Sequence, residues 1–185
     1  IGCHMPVTVY MQRDPRHDHS FGRPDPEATI TLGIPNACNR CHTERDAAWA
    51  VSHVRAWYPN DAVRIRRRAV ATAIAQGRAN DPAGVPALLE LLAGGTDAVR
   101  RASAARLLAR FPTATGVTAA LIAALHDAQA LVRAGAAWSL AQRPTLAPDA
   151  RTALEGALTD PVRIVRLHAA LGLRGADSKD LSPAV

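Results

Sequence analysis

The chain has 185 residues, 48% of them hydrophobic but only 4% aromatic, and a formal charge of +6. No run of 18 apolar residues occurs, so no membrane-spanning helix is expected in it. The apolar mass is Ala, Leu and Val, which suits small, closely packed helices more than a sheet, and the Arg excess asks for nucleic acid, an acidic partner or an anionic cofactor.

The first residues read IGCHMP, with Cys3 and His4 side by side. The chain does not begin with Met and lacks a charged-then-apolar leader, so it reads as a piece of a longer protein. Its three cysteines, Cys3, Cys38 and Cys41, fit a complete disulfide framework poorly. They fit one whole two-cysteine motif plus half of another.

Residues 14–37 hold Pro15, Pro24, Pro26 and Pro35 together with Gly22 and Gly33, which prevents a long helix. Few large apolar residues remain there to build a core. A structureless stretch of this length needs something else to organise it. Five of the seven histidines and all three cysteines lie in residues 1–53, which marks this region as the one with chemistry to do.

Residues 38–42 read CNRCH, the spacing of covalent haem c attachment. Two thiols three positions apart can each form a thioether to one porphyrin vinyl group. The histidine after the second thiol then lies under the iron as proximal ligand. Cys38 and Cys41 are thus the expected anchors and His42 the expected proximal ligand. A zinc half-site would need further ligands, for which only Cys3 and His4 offer themselves. A redox CxxC would want a βαβ neighbourhood, and a buried structural pair leaves the adjacent histidine unexplained. With CNRCH in view, a cysteine immediately before Ile1 would make the opening C-I-G-C-H, the same motif. Cys3 is then expected to hold a vinyl group of a second haem and His4 to be its proximal ligand. The alternative is a free cysteine beside a surface histidine.

A six-coordinate haem needs a distal ligand, for which His17 and His19 in RHDHSF, Met5 and Met11 are available. His19 is favoured, because Asp18 can orient its imidazole and Phe21 can shield the haem; His17 is the alternative. His53 lies about 16 Å beyond His42 along a helix and reads as a helix-surface residue. His126 and His168 fall in the later helices, with structural or surface roles expected.

From about Arg45 the pattern changes. Residues 45–58 predict a helix with Trp49, His53 or Val54, and Trp57 near one face. Helical segments then begin at Ile65, Val99, Val132 and Val165, at steps of 34, 33 and 33 residues. Second apolar helices are predicted over 85–94, 117–127 and 150–160. A period near 33 with two helices per unit and Ala at the contacts predicts an α-solenoid. The units resemble short HEAT repeats over residues 61–175, through their Asp…Val-Arg…Ala-Ala…Leu pattern. Arg66, Arg100, Arg133 and Arg166 recur at the period. Phosphate binding is one use of such a stripe, but a hydrogen-bonded Asp–Arg ladder between turns fits better, as stacking aromatics are sparse.

The texts CHMP, YM…DPRHDHSF, RPDP and PNACNRCH, followed by a Trp-bearing helix, resemble the C-terminal haem-binding part of extracytoplasmic multihaem c-type cytochromes. Some of these carry helical repeats after the last haem motif. The resemblance covers residues 1–58. It implies further CxxCH motifs before Ile1, at least two haems c associated with this segment, and a distal role for the histidine of DHSF, here His19. The chain is therefore expected to be mainly α. An irregular haem-wrapping segment (1–58) should precede a HEAT-like α-solenoid (59–176) and a polar tail (177–185). The implied work is electron transfer in the periplasm or outside the cell, with the repeats docking redox partner proteins or neighbouring cytochrome subunits and no nucleic acid. A multihaem oxidoreductase acting on a small nitrogen or sulfur species, or a haem-stabilised scaffold, is the alternative.

Overall fold

The computed structural model describes residues 5, 7–17, 24–95 and 97–174. The chain divides into two compact units, Ile1–Thr72 and Ala73–Val185, with the boundary inside one helix.

The first unit opens with an antiparallel hairpin, β1 (Val7–Tyr10) and β2 (Asp14–His17), in the register Val7↔His17 and Tyr10↔Asp14. Met11 and Gln12 turn it at positive φ, where side chains cost about 1 kcal/mol each. The proline-rich stretch is less irregular than its composition suggests. It forms α1 (Pro26–Leu32), a helix short enough for Pro26 to occupy its first turn, where no amide donor is needed. Gly33 closes it at φ 68°, a left-handed cap that favours glycine. Next come α2 (Cys38–Cys41), α3 (Ala47–Trp57) and α4 (Ala62–Arg78), which contains the unit boundary.

Helix α1 packs on α3. Arg68 pairs with Asp25 at 2.9 Å and with Glu27, which also meets Arg55. The described apolar residues buried here are small or medium: Ala28, Ala50, Val51 and Val54. Larger ones face outward, including Val9, Met11, Ile30, Trp57 and Tyr58, each more than half exposed.

The second unit is built from helix pairs: α5 (Val85–Ala93) with α6 (Ala98–Leu108), α7 (Val117–Ala124) with α8 (Ala130–Ala141), and α9 (Pro148–Ala157) with α10 (Arg163–Gly172). Helices α6, α8 and α10 pack side by side in one row, and α5, α7 and α9 form the other. Leu88, Leu121 and Leu154 from one row, and Leu108, Leu140 and Leu173 from the other, are buried in the core. Ala104, Ala136 and Ala169 are fully buried in equivalent places, where a larger side chain would push the rows apart.

The predicted ladder is present, with a correction of phase. Arg101 reaches Asp127 of the next pair and Arg133 reaches Asp160. Arg100, which the sequence period selects, is exposed and pairs with Asp97 at 3.2 Å at the start of its own helix. Asp97 caps α6 by accepting from the amide of Arg100, so it is occupied locally. A second ladder, which the sequence pattern does not announce, runs along the opposite helix ends. Arg110 donates to Asn80 Oδ1 at 2.8 Å, and Arg143 donates to the carbonyl of Pro112 and to Thr118 Oγ1, both at 2.9 Å.

Candidate functional site

The CNRCH segment is a single helical turn, so Cys38 and Cys41 emerge on one side of it, one turn apart. Asn36 builds that turn from below. It is 8% exposed, and its Oδ1 accepts from the amides of Cys38 (3.0 Å) and Asn39 (3.1 Å), the work of a helix N-cap. Its Nδ2 donates to Thr29 Oγ1 at 2.9 Å and to Asn39 Oδ1 at 2.8 Å. Asn39 in turn donates to the carbonyls of Arg45 and Asp46. The turn is thereby fixed both to α1 and to the start of α3, where Asp46 caps the helix by accepting from the amide of Trp49 at 2.8 Å.

His42 ends α2, its amide donating to the carbonyl of Cys38 at 3.0 Å. Cys38 is half-buried, and Cys41 and His42 are exposed. The His42 ring packs against Trp49, with centroids 4.8 Å apart and planes tilted by 49°. Trp49 continues to His53 at 4.4 Å, and His53 to Trp57 at 5.8 Å. The predicted face of α3 is thus an aromatic row that begins at His42. His53 is half-buried within it, not a free surface residue, and its Nδ1–H donates to the Trp49 carbonyl at 2.9 Å.

His17 stands at the end of β2, and Nδ1 of its exposed ring lies 2.8 Å from the carbonyl of Met5. A carbonyl can only accept, so Nδ1 is the donor; in the neutral ring this leaves the lone pair on Nε2, the nitrogen through which imidazole would then ligate a metal. Arg40, inside CNRCH, donates to the carbonyl of Val7, the cross-strand partner of His17. The structure thereby ties the hairpin carrying His17 to the turn carrying Cys38, Cys41 and His42. Cys3, His4 and His19 lie outside the described residues.

Of the other candidates, Met11 is 75% exposed in the hairpin turn. His126 is exposed, and His168 donates from Nδ1 to the Ala134 carbonyl at 2.9 Å, a structural role between α10 and α8. Among the described residues no three His, Cys, Asp or Glu side chains converge as a metal site. A porphyrin held by two thioethers asks for something different: two thiols on one turn, an adjacent imidazole, and access to both. The segment has the first two, with Cys41 exposed and Cys38 half-buried. Sequence reasoning passes over Asn36, and it places Trp49 on a helix face without its contact to His42. The signal for Asn36 is its spacing, two residues before Cys38, where an Asn side chain caps a turn. Trp49 lies seven residues after His42, and only the short connection folding back at Asp46 brings the two rings together.

Residues 85–174 match the HEAT-repeat family, a stretch that covers α5 to α10. No curated protein and no solved structure matches the chain. Among the described residues no helix is long and apolar enough to cross a membrane.

Proposed function

We propose that residues 1–58 are a haem-bearing segment of a multihaem c-type cytochrome and that the protein transfers electrons in the periplasm or outside the cell, its HEAT repeats docking a redox partner or a neighbouring subunit. The single observation that carries this reading is the CNRCH turn, with Cys41 and His42 exposed, tied through Arg40 and Val7 to a histidine whose Nδ1 is engaged by the Met5 carbonyl. In it, Cys38 and Cys41 are the thioether anchors, His42 the proximal ligand and His17 or His19 the distal one. Cys3 and His4 serve a second haem in the same way. A bound haem supplies one-electron iron chemistry at a potential tuned by its two axial ligands.

The chain's own residues do the positioning. Asn36 sets the thiols on one turn, Trp49 limits rotation of the His42 ring, and the Met5 carbonyl fixes the tautomer of His17. The outward-facing apolar side chains of the first unit, with only small or medium residues in its described core, support a large apolar group as its organiser. A second reading is a protein-binding scaffold in which haem is structural; the HEAT match favours it, since such repeats present surfaces to proteins.

The test is intact mass under denaturing conditions, with haem absorbance followed on the same peak, on a longer version of the chain with a cysteine before Ile1. Two covalent haems support both motifs. One haem, lost on Cys38→Ser with Cys41→Ser, restricts the reading to CNRCH. No haem sinks it. Reversible one-electron reduction separates the carrier from the scaffold, which needs none.

A further inference from the structure

The last helix pair carries a cleft of about 460 Å³, which is unrelated to the cysteines. It opens between the end of α8, the loop leading to α9, and the end of α10, and Arg143, Arg151 and Arg174 line it. Three arginines bring positive charge to one cleft, where an anion is favoured, and Arg174 spends its Nε on the Leu171 carbonyl at 3.0 Å. The hydrogen bonding is also incomplete. Arg143 spends Nη1 on Pro112 and Thr118, yet its Nε and Nη2 are buried without a partner among the described residues. Arg151 Nη1 is buried in the same condition.

Buried donors on charged groups are costly to leave unmet, and an unmet cluster of them calls for a ligand. Burial pushes the Arg143 guanidinium below its ordinary value, opposed only by the field of Asp149. Asp149 is exposed, accepts from the amide of Ala150 and does not line the cleft. The ladder explains why the site forms here. Arg110, at the corresponding position one helix pair earlier, reaches back to Arg78 and Asn80, and none of its nitrogens is left buried and unmet. At Arg143 two further arginines share the space.

We propose that this cleft is a binding site for a small multivalent oxyanion, a carboxylate or phosphate, held by Arg143, Arg151 and Arg174. Guanidinium groups suit such ligands because their paired N–H groups match two oxygens at once. The proposal is independent of the haem reading.

Citrate and inorganic phosphate are the probes, titrated calorimetrically into the full chain at constant ionic strength. Saturable binding of either at one per chain is expected. Arg151→Gln should weaken it about 10-fold or more, as loss of a charge-assisted hydrogen bond implies. Arg67→Gln, an exposed arginine of α4, should leave it unchanged. If Arg151→Gln fails to fold by circular dichroism, Arg174→Gln replaces it with the same expectation. Absence of saturable binding, or binding indifferent to Arg151 and Arg174, overturns the proposal. So does binding that emerges only when Asp177 and Asp180 are both changed to Asn, because the chain's own carboxylates would then be the occupants.

Discussion

Arg133 spans two helix pairs to grip Asp160 with two parallel hydrogen bonds, Nε to Oδ2 at 2.6 Å and Nη2 to Oδ1 at 3.1 Å. The same guanidinium donates from Nη1 to the carbonyls of Asp127 and Ala128 in its own pair. One side chain thus caps the turn before its helix and locks it to the next. Asp160 also accepts from the amide of Val162, so its Oδ1 serves both the helix start and the ladder.

Asp160→Asn should therefore destabilise the repeats by about 2–4 kcal/mol, since it leaves a largely desolvated guanidinium without its carboxylate. The pH dependence has a definite sign. Hydrogen bonding from Arg133 holds the Asp160 carboxyl below its usual range, against burial, which acts in the opposite direction. A carboxyl depressed on folding contributes stability above its unfolded value, about 3.9, and that contribution is lost as pH falls through the folded value. Urea unfolding of wild type should show a stability loss below about pH 4 that Asp160→Asn lacks. Equal acid sensitivity in both would remove Asp160 from the account.

Two helical glycines separate propensity from packing. A methyl group added at Gly156 in α9 would have nothing within 4 Å, whereas one added at Gly135 in α8 would meet the Ala102 carbonyl oxygen of α6 at 3.1 Å. Gly156→Ala should stabilise by about 0.5–1 kcal/mol through helix propensity alone. At Gly135 the same gain is set against overpacking of about 1–3 kcal/mol, with backbone as the obstacle. Gly135→Ala should therefore melt below Gly156→Ala, and the reverse order would mean that the α6–α8 contact relaxes freely.

The repeats are legible in the sequence because their signal is redundant: a fixed period, Ala at contacts and Asp before Arg agree in several units. The phase at Arg100 against Arg101 is not legible, since adjacent arginines look alike until Asp97 is seen to be taken up as a cap. In the first unit the cysteines and His42 announce themselves by spacing. The hairpin does not, because Val7–Tyr10 and Asp14–His17 are short strands whose alternating residues are all exposed, leaving no apolar face to betray them. The Arg143 cleft is invisible for a related reason: its three arginines come from three separate elements.

On the proposed haem reading, Asn36 should matter to haem attachment without touching the haem. Asn36→Ala removes both acceptor bonds to the CNRCH turn and both donor bonds to Thr29 and Asn39. Losing such a cap costs about 1–2 kcal/mol. The ratio of covalent haem to protein should fall while Cys38 and Cys41 remain. Asn36→Asp keeps the acceptor and should recover most of the loss. A full haem complement in Asn36→Ala would show that the turn forms without it.

On the proposed haem reading the distal ligand is His17 or His19, and of the two the described residues include His17. The resemblance assigns His19, and the hairpin geometry offers His17, whose Nδ1–H is held by the Met5 carbonyl and whose strand partner is clasped by Arg40. A histidine oriented in this way loses little freedom on ligation, because its ring is already restrained. His17→Ala should therefore convert one haem from a low-spin to a high-spin visible spectrum and shift its potential, while His17→Met should restore low spin at a higher potential. His19→Ala should leave that haem's spectrum unchanged. If His19→Ala produces the high-spin form and His17→Ala does not, the hydrogen bond to Met5 is structural and the ligand is the histidine of DHSF.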